Sequence, residues 1–517
     1  MNTIPVVDIF AGPGGLGEGF AAYSDSSENF PFNIVLSAEM DAHAHETLRL
    51  RSFYRHLVRN GEDMSGLHNY CLGQAPEPYA NNNYSLWEKA CSESLCLELG
   101  TNHGDSTLYR NLDKLIANND KWILIGGPPC QAYSVVGRVR NKGNNNYDPS
   151  KDRRHFLYIE YLKVLERYKP TVFIMENVRG MLSCKIDGSY IASNILNDLS
   201  KGGLSKENSK DFGYKIFSLV EPCCFENGMH ISEIDTSKFI IKSEEYGIPQ
   251  TRHRVILLGI RNDFLAKPKF LERYISPSVF DMLCDLPKLR SGLSREKDEQ
   301  DKWHHLVAGE YWSLAEHAKQ SGMREFADEL NEAGYIILTK KYKRSANKKN
   351  KLTFSKKITI DLQRWIRGHW PETCLNHETR AHMLSDLRRY AFASVFAKTF
   401  RRSPAGAHDF SFPGLSPDHE NWKSGNFADR FRVQLESQPS TTITSHIAKD
   451  GHYYIHPDSS QCRSLTVREA ARLQTFPDDY FFCGPRTSQY TQVGNAVPPY
   501  LAKKIAGVVY DLFEVGT

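Results

Sequence analysis

IPVVDIFAGPGGLGEGF, at residues 4–20, joins a short apolar run directly to a glycine-rich turn. An apolar run of this length, rich in branched side chains, predicts a buried strand. Gly12, Gly14 and Gly17 fit the spacing GxGxxG, in which glycines let the backbone turn tightly and approach a ligand before a helix begins. The stretch therefore predicts the first strand, turn and helix of a cofactor-binding domain.

Four more short apolar runs alternate with helical stretches. They are NIVLSAE (33–39), WILIGG (122–127), TVFIMEN (171–177) and RVILLGI (254–260). This alternation predicts an α/β fold with a doubly wound, mostly parallel sheet. A polar insertion, at about 51–102, interrupts the pattern and carries no motif that can be read.

The composition is that of a globular protein. The 517 residues are 40% hydrophobic and 24% charged, and no apolar stretch approaches the roughly 20 residues of a membrane span. The amino terminus has no secretory pattern, so we expect a cytoplasmic protein. The 11 cysteines have no CxxC pair or regular spacing, which argues against a disulfide framework or a common zinc module. Cys374, His377 and His382 fit no standard zinc spacing, so we expect no metal.

Three segments follow from the pattern: a catalytic and cofactor-binding domain at 1–260, a second, smaller domain at 261–440, and a return to the first domain at 441–517. Between Lys340 and Arg402 the chain has 17 Lys and Arg against 4 Asp and Glu, interleaved with aromatic residues. This mixture favours a folded module that meets a polyanion, with a solvated basic surface or a disordered loop as the alternatives.

Two polar side chains follow apolar runs at positions suited to catalysis. Cys130 comes after Pro128 and Pro129, which hold the backbone in one extended path. Glu176 ends the run that begins near 171. Ligands of open α/β sheets bind at the carboxyl ends of the strands. A thiol and a carboxyl there indicate covalent catalysis with a proton donor.

A nucleoside-type cofactor is indicated by acidic residues near other strand ends. Glu39 ends the second run, where a carboxylate accepts hydrogen bonds from a ribose. Gly104-Asp105 is interpreted as the end of a third strand. A nicotinamide dehydrogenase would share the first turn but has little use for a nucleophilic cysteine, so that alternative is remote and S-adenosylmethionine is favoured.

The motifs taken in order resemble the DNA (cytosine-5) methyltransferases, and they cover nearly the whole chain except the insertion and the middle domain. The matching stretches are DIFAGPGGLGEGF (8–20), AEMD (38–41), GD (104–105), GGPPCQAYS (126–134), ENVRG (176–180), YGIPQTRHRVILLGI (246–260), RSLTVREAARLQTFPDDY (463–480) and QVGNAVPPYLAKKIA (492–506). The resemblance implies the sheet of the S-adenosylmethionine-dependent methyltransferases.

The resemblance also implies roles for single residues. Cys130 is implied as the nucleophile that adds to C6 of a flipped cytosine, and Glu176 as the acid that contacts N3 and the exocyclic amine. Arg254 is implied to hold O2, with Arg252 as its neighbour in the motif. The implied methyl donor is S-adenosylmethionine, which leaves as S-adenosylhomocysteine. Its implied binding residues are Phe10, Gly12, Gly14, Gly15, Glu39, Met40, Asp105, Pro128 and Asn495. Relatives often have a large aromatic residue where this chain has Met40.

The middle domain is then the expected target-recognition domain. Its candidate DNA-reading residues are Arg344, Arg364, Arg367, Arg388 and Arg389, although arginine serves phosphates as readily as guanine. The polar loop at 131–154 is expected to close on the phosphates as a lid, and Gln131 and Ser134 are candidates to fill the gap left by the flipped base.

The expected partner is double-stranded DNA, bound by a monomer in the bacterial nucleoid, with a cognate restriction endonuclease as a possible companion. Two alternatives share the fold. One is cytosine-5 methylation of structured RNA, and the other is a catalytically silent DNA-binding regulator. The basic middle domain and the PPCQ form favour DNA, and the presence of Cys130, Glu176 and Arg254 favours an enzyme.

Overall fold

The chain forms two compact units. The computed structural model describes residues 3–116, 119–129, 157–186, 189–204, 212–349, 355, 357–417, 422 and 429–515. The first unit comprises Met1–Ile248, Arg252–Ile275 and Ala496–Thr517, and the second comprises Pro249–Thr251 and Ser276–Asn495. The functional domains at 1–260, 261–440 and 441–517 have other borders and stay a prediction.

The first unit is built on a sheet of nine strands. In chain order they are β1 (Ile4–Ile9), β2 (Phe32–Glu39), β3 (Ser94–Cys96), β4 (Ile123–Gly126), β5 (Val172–Val178), β6 (Tyr214–Phe217), β7 (Cys224–Phe225), β8 (Ile240–Lys242) and β9 (His253–Arg261). Their order across the sheet is β3-β2-β1-β4-β5-β9-β6-β7, with β8 also paired to β9. The strands from β3 to β5 are parallel, and β9 runs antiparallel to β5.

The predicted α/β fold is confirmed, because all five predicted apolar runs are strands of this sheet. Val7, Leu124, Phe173 and Leu257 from four of these strands are fully buried in one hydrophobic core. Apolar side chains along nearly the whole of a strand are typical of parallel strands covered on both faces.

The helices of the first unit are α1 (Gly15–Ala21), α2 (Ala42–Asn60), α3 (Ser65–Cys71), α4 (Tyr84–Glu93), α5 (Asn102–Leu115), α6 (Leu157–Tyr168), α7 (Gly180–Ser183), α8 (Ile191–Lys201) and the C-terminal helix (Pro499–Val515). A short hairpin pairs Lys185–Ile186 with Ser189–Tyr190. The polar insertion at 51–102 therefore contains regular structure: most of α2, then α3, α4 and the edge strand β3. Its helices are amphipathic, and the polar residues on their exposed faces give the segment its polar composition.

The glycine-rich turn continues into α1, which packs closely against the C-terminal helix. A Cβ added at Gly15 would lie 2.3 Å from the carbonyl oxygen of Val497, and one at Gly19 would lie 2.4 Å from the Cβ of Ala502. Only glycine permits this approach. Glu18 on the same helix forms a buried two-point ion pair with Arg51 of α2, at 3.0 and 2.7 Å. These contacts hold the turn in place.

The second unit is mainly helical. Its helices are α9 (Val279–Leu283), α10 (Gln300–Gln320), α11 (Arg324–Thr339), α12 (Ile360–Arg367), α13 (Leu384–Phe400), α14 (Gly406–Asp409), α15 (Val467–Leu473) and α16 (Arg486–Asn495). Short parallel pairs join Gln250–Thr251 to Ser440–Thr441 and Gly292–Leu293 to Ala381–His382. In the part of the chain that the structure describes, no helix is long and apolar enough to cross a membrane.

Two kinds of core stabilise the second unit. One is aromatic and lies between α10, α11 and α13, where Phe326 contacts Phe392 edge-on at a centroid distance of 5.5 Å. The other is ionic and surrounds α15, where Arg463, Arg468 and Arg472 are fully buried. Arg463 pairs with Glu469 through two hydrogen bonds of 2.7 and 2.6 Å. Charged side chains are rarely this buried unless they are paired in this way.

Candidate active site and cofactor pocket

Glu176 and Arg254, two of the three implied catalytic residues, lie together on neighbouring strands. Glu176 is opposite Ile256 in the pairing of β5 with β9, so Arg254, two residues before Ile256, projects from the same face. Arg254 Nε lies 3.0 Å from Glu176 Oε1, and the two side chains are 16% and 12% exposed. A second donor, Arg254 Nη1, binds the carbonyl oxygen of His253 at 2.9 Å. The pair is therefore held in place but still reachable from solvent.

The segment that leads to Cys130 passes beside this ion pair. A Cβ added at Gly127 would lie 3.2 Å from Glu176 Oε2. Asn177 Nδ2 donates to the carbonyl oxygen of Pro128 at 3.3 Å. Pro128 is two residues before Cys130 in the sequence. Cys130 itself lies outside the described residues, as do Gln131, Ser134 and the predicted lid loop.

Arg252, the neighbour of Arg254 in the motif, has a different setting. Its side chain is 1% exposed. Its carbonyl oxygen accepts hydrogen bonds from the backbone N–H of Ser243 at 3.1 Å and from its hydroxyl at 2.7 Å. The burial of Arg252 favours Arg254 as the residue that meets a ligand.

The turn after β1 and the end of β2 form the candidate cofactor pocket. Phe10, Gly12 and Gly14 all have positive φ, at 57°, 57° and 93°. Glu39 Oε2 accepts a hydrogen bond from Gly12 N at 2.8 Å, and its Oε1 accepts one from Asp41 N at 2.9 Å. Burial raises the pKa of the Glu39 carboxyl, against the opposing effect of these backbone hydrogen bonds.

The pocket residues fit a nucleoside-bearing cofactor. Each oxygen of Glu39 has one backbone donor and keeps a lone pair for a further donor such as a ribose hydroxyl. A Cβ added at Gly12 would meet nothing within 4 Å, so the turn has open space beside it. Met40, immediately after Glu39, is 59% exposed. An exposed thioether beside the carboxylate can cover an apolar ring face.

The third strand end is not where the sequence pattern placed it. Gly104 and Asp105 lie in the first turn of α5, whose N-cap Thr101 accepts a hydrogen bond from Gly104 N at 3.1 Å. Asp105 Oδ1 accepts one from Gly100 N at 2.8 Å, so this carboxylate supports the helix start. The expectation that Gly104-Asp105 ends a strand is therefore wrong, and a binding role for Asp105 stays a prediction.

The residue that does end the third strand is Cys96. It is paired with Glu39 across the sheet and exposed, and its Sγ lies 3.8 Å from the carbonyl oxygen of Met40. Sequence reasoning missed this position because Ser94–Cys96 is very short. The alternation of SLCLEL (94–99), with Leu95, Leu97 and Leu99 at every second position, was the available signal.

Two other predicted cofactor residues have settings of their own. Gly15 is buried and packs on the backbone of Val497, so the structure gives it a packing role. Asn495 is the last residue of α16 in the second unit. Cofactor binding by either residue stays a prediction.

Asp8, four residues before Gly12, is a buried acid that the sequence pattern did not single out. It is fully buried in β1, and neither carboxyl oxygen makes a well-formed hydrogen bond with a described residue. Burial raises the pKa of this carboxyl to about 8, and the Gly17 backbone N–H opposes the shift to a smaller extent. Asp8 is therefore neutral at pH 7 and lies below the glycine-rich turn.

Comparison with known proteins supports the resemblance on which these assignments rest. The family described as C-5 cytosine-specific DNA methylase matches residues 77–511. The type II methyltransferase M.Bpa9945I of Bacillus paralicheniformis is 32% identical over 98% of this chain and 99% of its own length. The chain belongs to the C-5 cytosine-specific DNA methylase family.

More distant relatives agree with this family. The type II methyltransferase M.DdeI of Desulfomicrobium norvegicum is 24% identical over 98% of this chain and 89% of its own length. Among solved structures, a protein described as a DNA modification methyltransferase encoded within a prophage (E. coli) has a TM-score of 0.53. It is 18% identical and covers 99% of this chain and 100% of its own, which supports the fold. The predicted activity, that of a DNA (cytosine-5-)methyltransferase, is confirmed.

The structure divides the five candidate DNA-reading arginines of this methylase into two groups. Arg389 Nη1 binds Asp386 and its Nε binds the carbonyl oxygen of Leu415, both at 2.9 Å. Arg388 is paired with Glu310. Arg344 Nη2 donates to a backbone carbonyl at 3.2 Å, and its guanidinium lies near Asp298. These three arginines support the fold of the second unit. Arg364 and Arg367, on α12, are instead exposed.

The trio Cys374, His377 and His382 has no metal-binding arrangement. Both ring nitrogens of His377 are occupied, with Thr466 Oγ1 and the carbonyl oxygen of Pro287 each at 2.9 Å. His382 Nε2 lies 3.3 Å from a serine hydroxyl. Among the described residues, no group of three or more His, Cys, Asp or Glu side chains could hold a metal ion.

Proposed function

We propose that this methylase transfers a methyl group from S-adenosylmethionine to C5 of a flipped cytosine in a specific double-stranded DNA sequence. A covalent bond between Cys130 and C6 of the base would activate the ring. One observation carries the proposal: the Glu176–Arg254 pair, at 3.0 Å, lies beside the Gly127-Pro128 segment that leads to Cys130.

The chemistry requires an added nucleophile because C5 of cytosine is a weak nucleophile. The Cys130 thiolate adds to C6 while N3 takes a proton from Glu176, which turns the ring into an enamine that reacts at C5. After C5 has taken up the methyl group, its proton leaves to a base. The electrons of that C–H bond then expel the Cys130 thiolate, and N3 returns its proton to Glu176. The aromatic ring is restored, with the C5 proton replaced by a methyl group and no net oxidation or reduction.

Arg254 and Glu176 are placed to stabilise the charge that develops on the ring. Glu176 would face N3 and the exocyclic amine, while Arg254 would donate to O2. Among the described residues, one of the five N–H donors of Arg254 has a hydrogen-bond acceptor, while Nε lies at ion-pair distance from Glu176 Oε1. Donors fixed before the reaction stabilise a developing negative charge without reorganising. The contact with Arg254 therefore holds the Glu176 carboxyl in position for the base, and Glu176 must carry a proton when the thiolate adds.

The methyl donor would be held at the turn after β1. Glu39 would accept hydrogen bonds from the ribose hydroxyls, and Gly12 and Gly14 would let the backbone approach. Met40 would cover the adenine where relatives have an aromatic ring, with Cys96 beside it. When bound, S-adenosylmethionine supplies an electrophilic methyl group and becomes S-adenosylhomocysteine. No metal is required.

The expected partner is duplex DNA, to which a single copy of the chain would bind. Rotation of the base out of the stack costs a few kcal/mol, which contacts to the backbone must offset. The names of the relatives, type II methyltransferases, suggest a cognate restriction endonuclease that acts on the same site. Binding to duplex DNA would place the enzyme on the nucleoid, in the cytoplasm of a bacterium.

Two linked experiments test the proposal. Bisulfite sequencing of DNA from cells that express the chain should show 5-methylcytosine at one recurring sequence. Cys130→Ala should abolish this signal. Purified enzyme should also form a denaturation-resistant complex with duplex DNA that contains 5-fluorocytosine, because fluorine at C5 blocks the elimination step, and Cys130→Ala should not.

The alternatives give different results. A regulator without turnover would leave DNA unmodified and form no such complex. An RNA methyltransferase would incorporate labelled methyl groups into transfer RNA but not into duplex DNA. Either result would refute the proposed substrate or chemistry.

A further inference from the structure

Helix α12 of the second unit has two faces with opposite character. Leu362, Trp365 and Ile366 are buried. Ile360, Arg364 and Arg367 are exposed, and their spacing of four and three residues places them on the other side of the helix. Ile360 is 69% exposed. The helix therefore presents two guanidinium groups and an apolar side chain on one exposed face, which we call the α12 face.

The helix that carries the α12 face is firmly anchored within its unit. Trp365 Nε1 donates to the carbonyl oxygen of Thr475 at 2.7 Å. The backbone N–H of Asp478 donates to the carbonyl oxygen of Ile366 at 2.8 Å. At the end of the helix, Gly368 has a φ of 57°, and a Cβ there would lie 2.1 Å from Asp479 Oδ2. An anchored helix presents its exposed side chains in a fixed geometry, as a recognition element requires.

The arginines around it in the sequence are used differently. Arg344, Arg388 and Arg389 are bound to acidic side chains or backbone carbonyls of the second unit, and Arg402 forms a two-point pair with Asp409. These four arginines are therefore held by other groups of the second unit. On α12, Arg364 and Arg367 are exposed on the same side of the helix.

We propose that the α12 face contacts the target DNA, a step that rests on the proposed function. Arg364 and Arg367 would bind phosphates or guanine edges, and Ile360 would contact an apolar group such as a thymine methyl. With its side chains an α-helix is about 10–12 Å in diameter, which matches the width of about 12 Å of the major groove. Asp361, in the first turn, is a quarter turn away from this face.

Duplex binding of Arg364→Gln, Arg367→Gln and the double variant tests this assignment. Binding of wild type and variants is measured by fluorescence anisotropy with S-adenosylhomocysteine present, over a range of KCl concentrations. The probe is a duplex with the sequence found by bisulfite mapping, or a random-sequence duplex if no methylation is found. Arg324→Gln is the matched control, because Arg324 is an exposed arginine at the start of another helix of the same unit.

If the α12 face binds phosphates, each substitution should weaken binding about tenfold. It should also make the slope of log K against log[salt] shallower by about 0.9 per lost contact. If it reads a guanine, the loss should reach about 5- to 150-fold and the methylation map should accept other bases at one position. Either result supports contact with DNA. Arg324→Gln should bind as wild type does.

Wild-type affinity and an unchanged salt slope in the double variant would overturn the assignment. Melting temperatures are compared first, and because the side chains are exposed they should agree within about 2 °C. Failure of this inference is separate from failure of the proposed function. The first is judged on DNA binding and the second on the methylated product of the wild type.

Discussion

Two arginines, one in each unit, differ in their exposure and in how many of their N–H donors have acceptors. Arg472 in the second unit is fully buried, and all five of its N–H donors have acceptors on Asp285, Asp478 and the carbonyl oxygen of Met282. Arg254 in the first unit is 16% exposed and has two partners, Glu176 and its neighbour's carbonyl. An arginine whose donors are all used belongs to the fold, whereas one at a strand end with donors left over can bind a ligand.

The largest effect is expected from Glu176→Gln. The amide has nearly the shape of the carboxyl but cannot deliver a proton to N3, so the rate of methyl transfer should fall about 10²- to 10⁴-fold. The melting temperature should change little, because the amide oxygen can still accept from Arg254. Single-turnover transfer of labelled methyl groups measures the rate. Glu221→Gln, an exposed glutamate in the same unit, should retain full activity. Equal losses in both variants would contradict the assignment.

A loss of stability is expected when the buried arginine of the second unit, Arg472, is replaced. Arg472→Met would leave Asp285 and Asp478 buried without their guanidinium partner, and the free energy of unfolding should fall by about 3–5 kcal/mol. Arg254→Met should cost only about 1 kcal/mol, since its pair is partly solvated, while greatly lowering activity. Urea unfolding followed by circular dichroism measures both. If Arg254→Met destabilises the protein as much as Arg472→Met does, the distinction between the two arginines fails.

The two units should also respond to pH in opposite directions. In the first unit, Asp8 has a pKa of about 8 against a usual value of 3.8, so the folded state holds one proton more than the unfolded state between these values. Stability should fall as pH rises through this window, by at most about 1.4 kcal/mol per pH unit. Thermal melts from pH 5.5 to 8.5 measure this slope. Asp8→Asn should remove it, and an unchanged slope would contradict the neutral state of Asp8.

In the second unit, burial lowers the pKa of His377 to about 4, below its usual value of 6.5. The unfolded chain binds a proton in this range and the folded chain does not, so stability should fall as pH drops from 6.5 towards 4. His377→Gln, which can keep one of the two hydrogen bonds, should flatten this acid slope relative to wild type. His305→Gln, an exposed histidine of the same unit, is the control and should keep it.

How far the sequence could predict the molecule depends on how local the determinants are. The strands β1, β2, β4, β5 and β9 were predictable because a buried parallel or central strand needs an unbroken apolar run, which is visible within a few residues. The resemblance implied that Glu176 and Arg254 act on the same base, and the two side chains lie 3.0 Å apart. The edge strand Ser94–Cys96 was not predicted, because it is short and its last residue is exposed.

The buried ionic contacts were unpredictable for a different reason. Arg388 meets Glu310, 78 residues away, and Arg472 meets Asp285, 187 residues away. Counting charges between Lys340 and Arg402 gives the same total whether an arginine faces solvent or a buried carboxylate. The basic stretch indicated a polyanion partner, which stays a prediction for this segment, while most of its candidate reading residues belong to the fold.

The smallest effect on turnover is expected from Glu39→Gln in the candidate cofactor pocket. The carboxylate accepts from Gly12 N and Asp41 N and would also accept from the ribose, and hydrogen bonds to a charged acceptor are worth about 1.5–3 kcal/mol. The amide keeps one acceptor oxygen and places an NH₂ group against a backbone N–H. The Kd for S-adenosylmethionine, measured by calorimetry, should therefore rise about 10- to 100-fold.

Ribose contacts are made equally in the ground state and the transition state, so kcat at saturating donor should stay near the wild-type value. Glu62→Gln, an exposed glutamate after α2, should leave the Kd unchanged. A variant at Glu39 with normal Kd and lowered kcat would assign this carboxylate to the chemistry. The pattern expected here, weaker donor binding with normal turnover, would separate the pocket at β1 and β2 from the reacting groups at β5 and β9. Both sites lie at strand ends of one sheet, and the separate effects on the Kd for the donor and on kcat distinguish their roles.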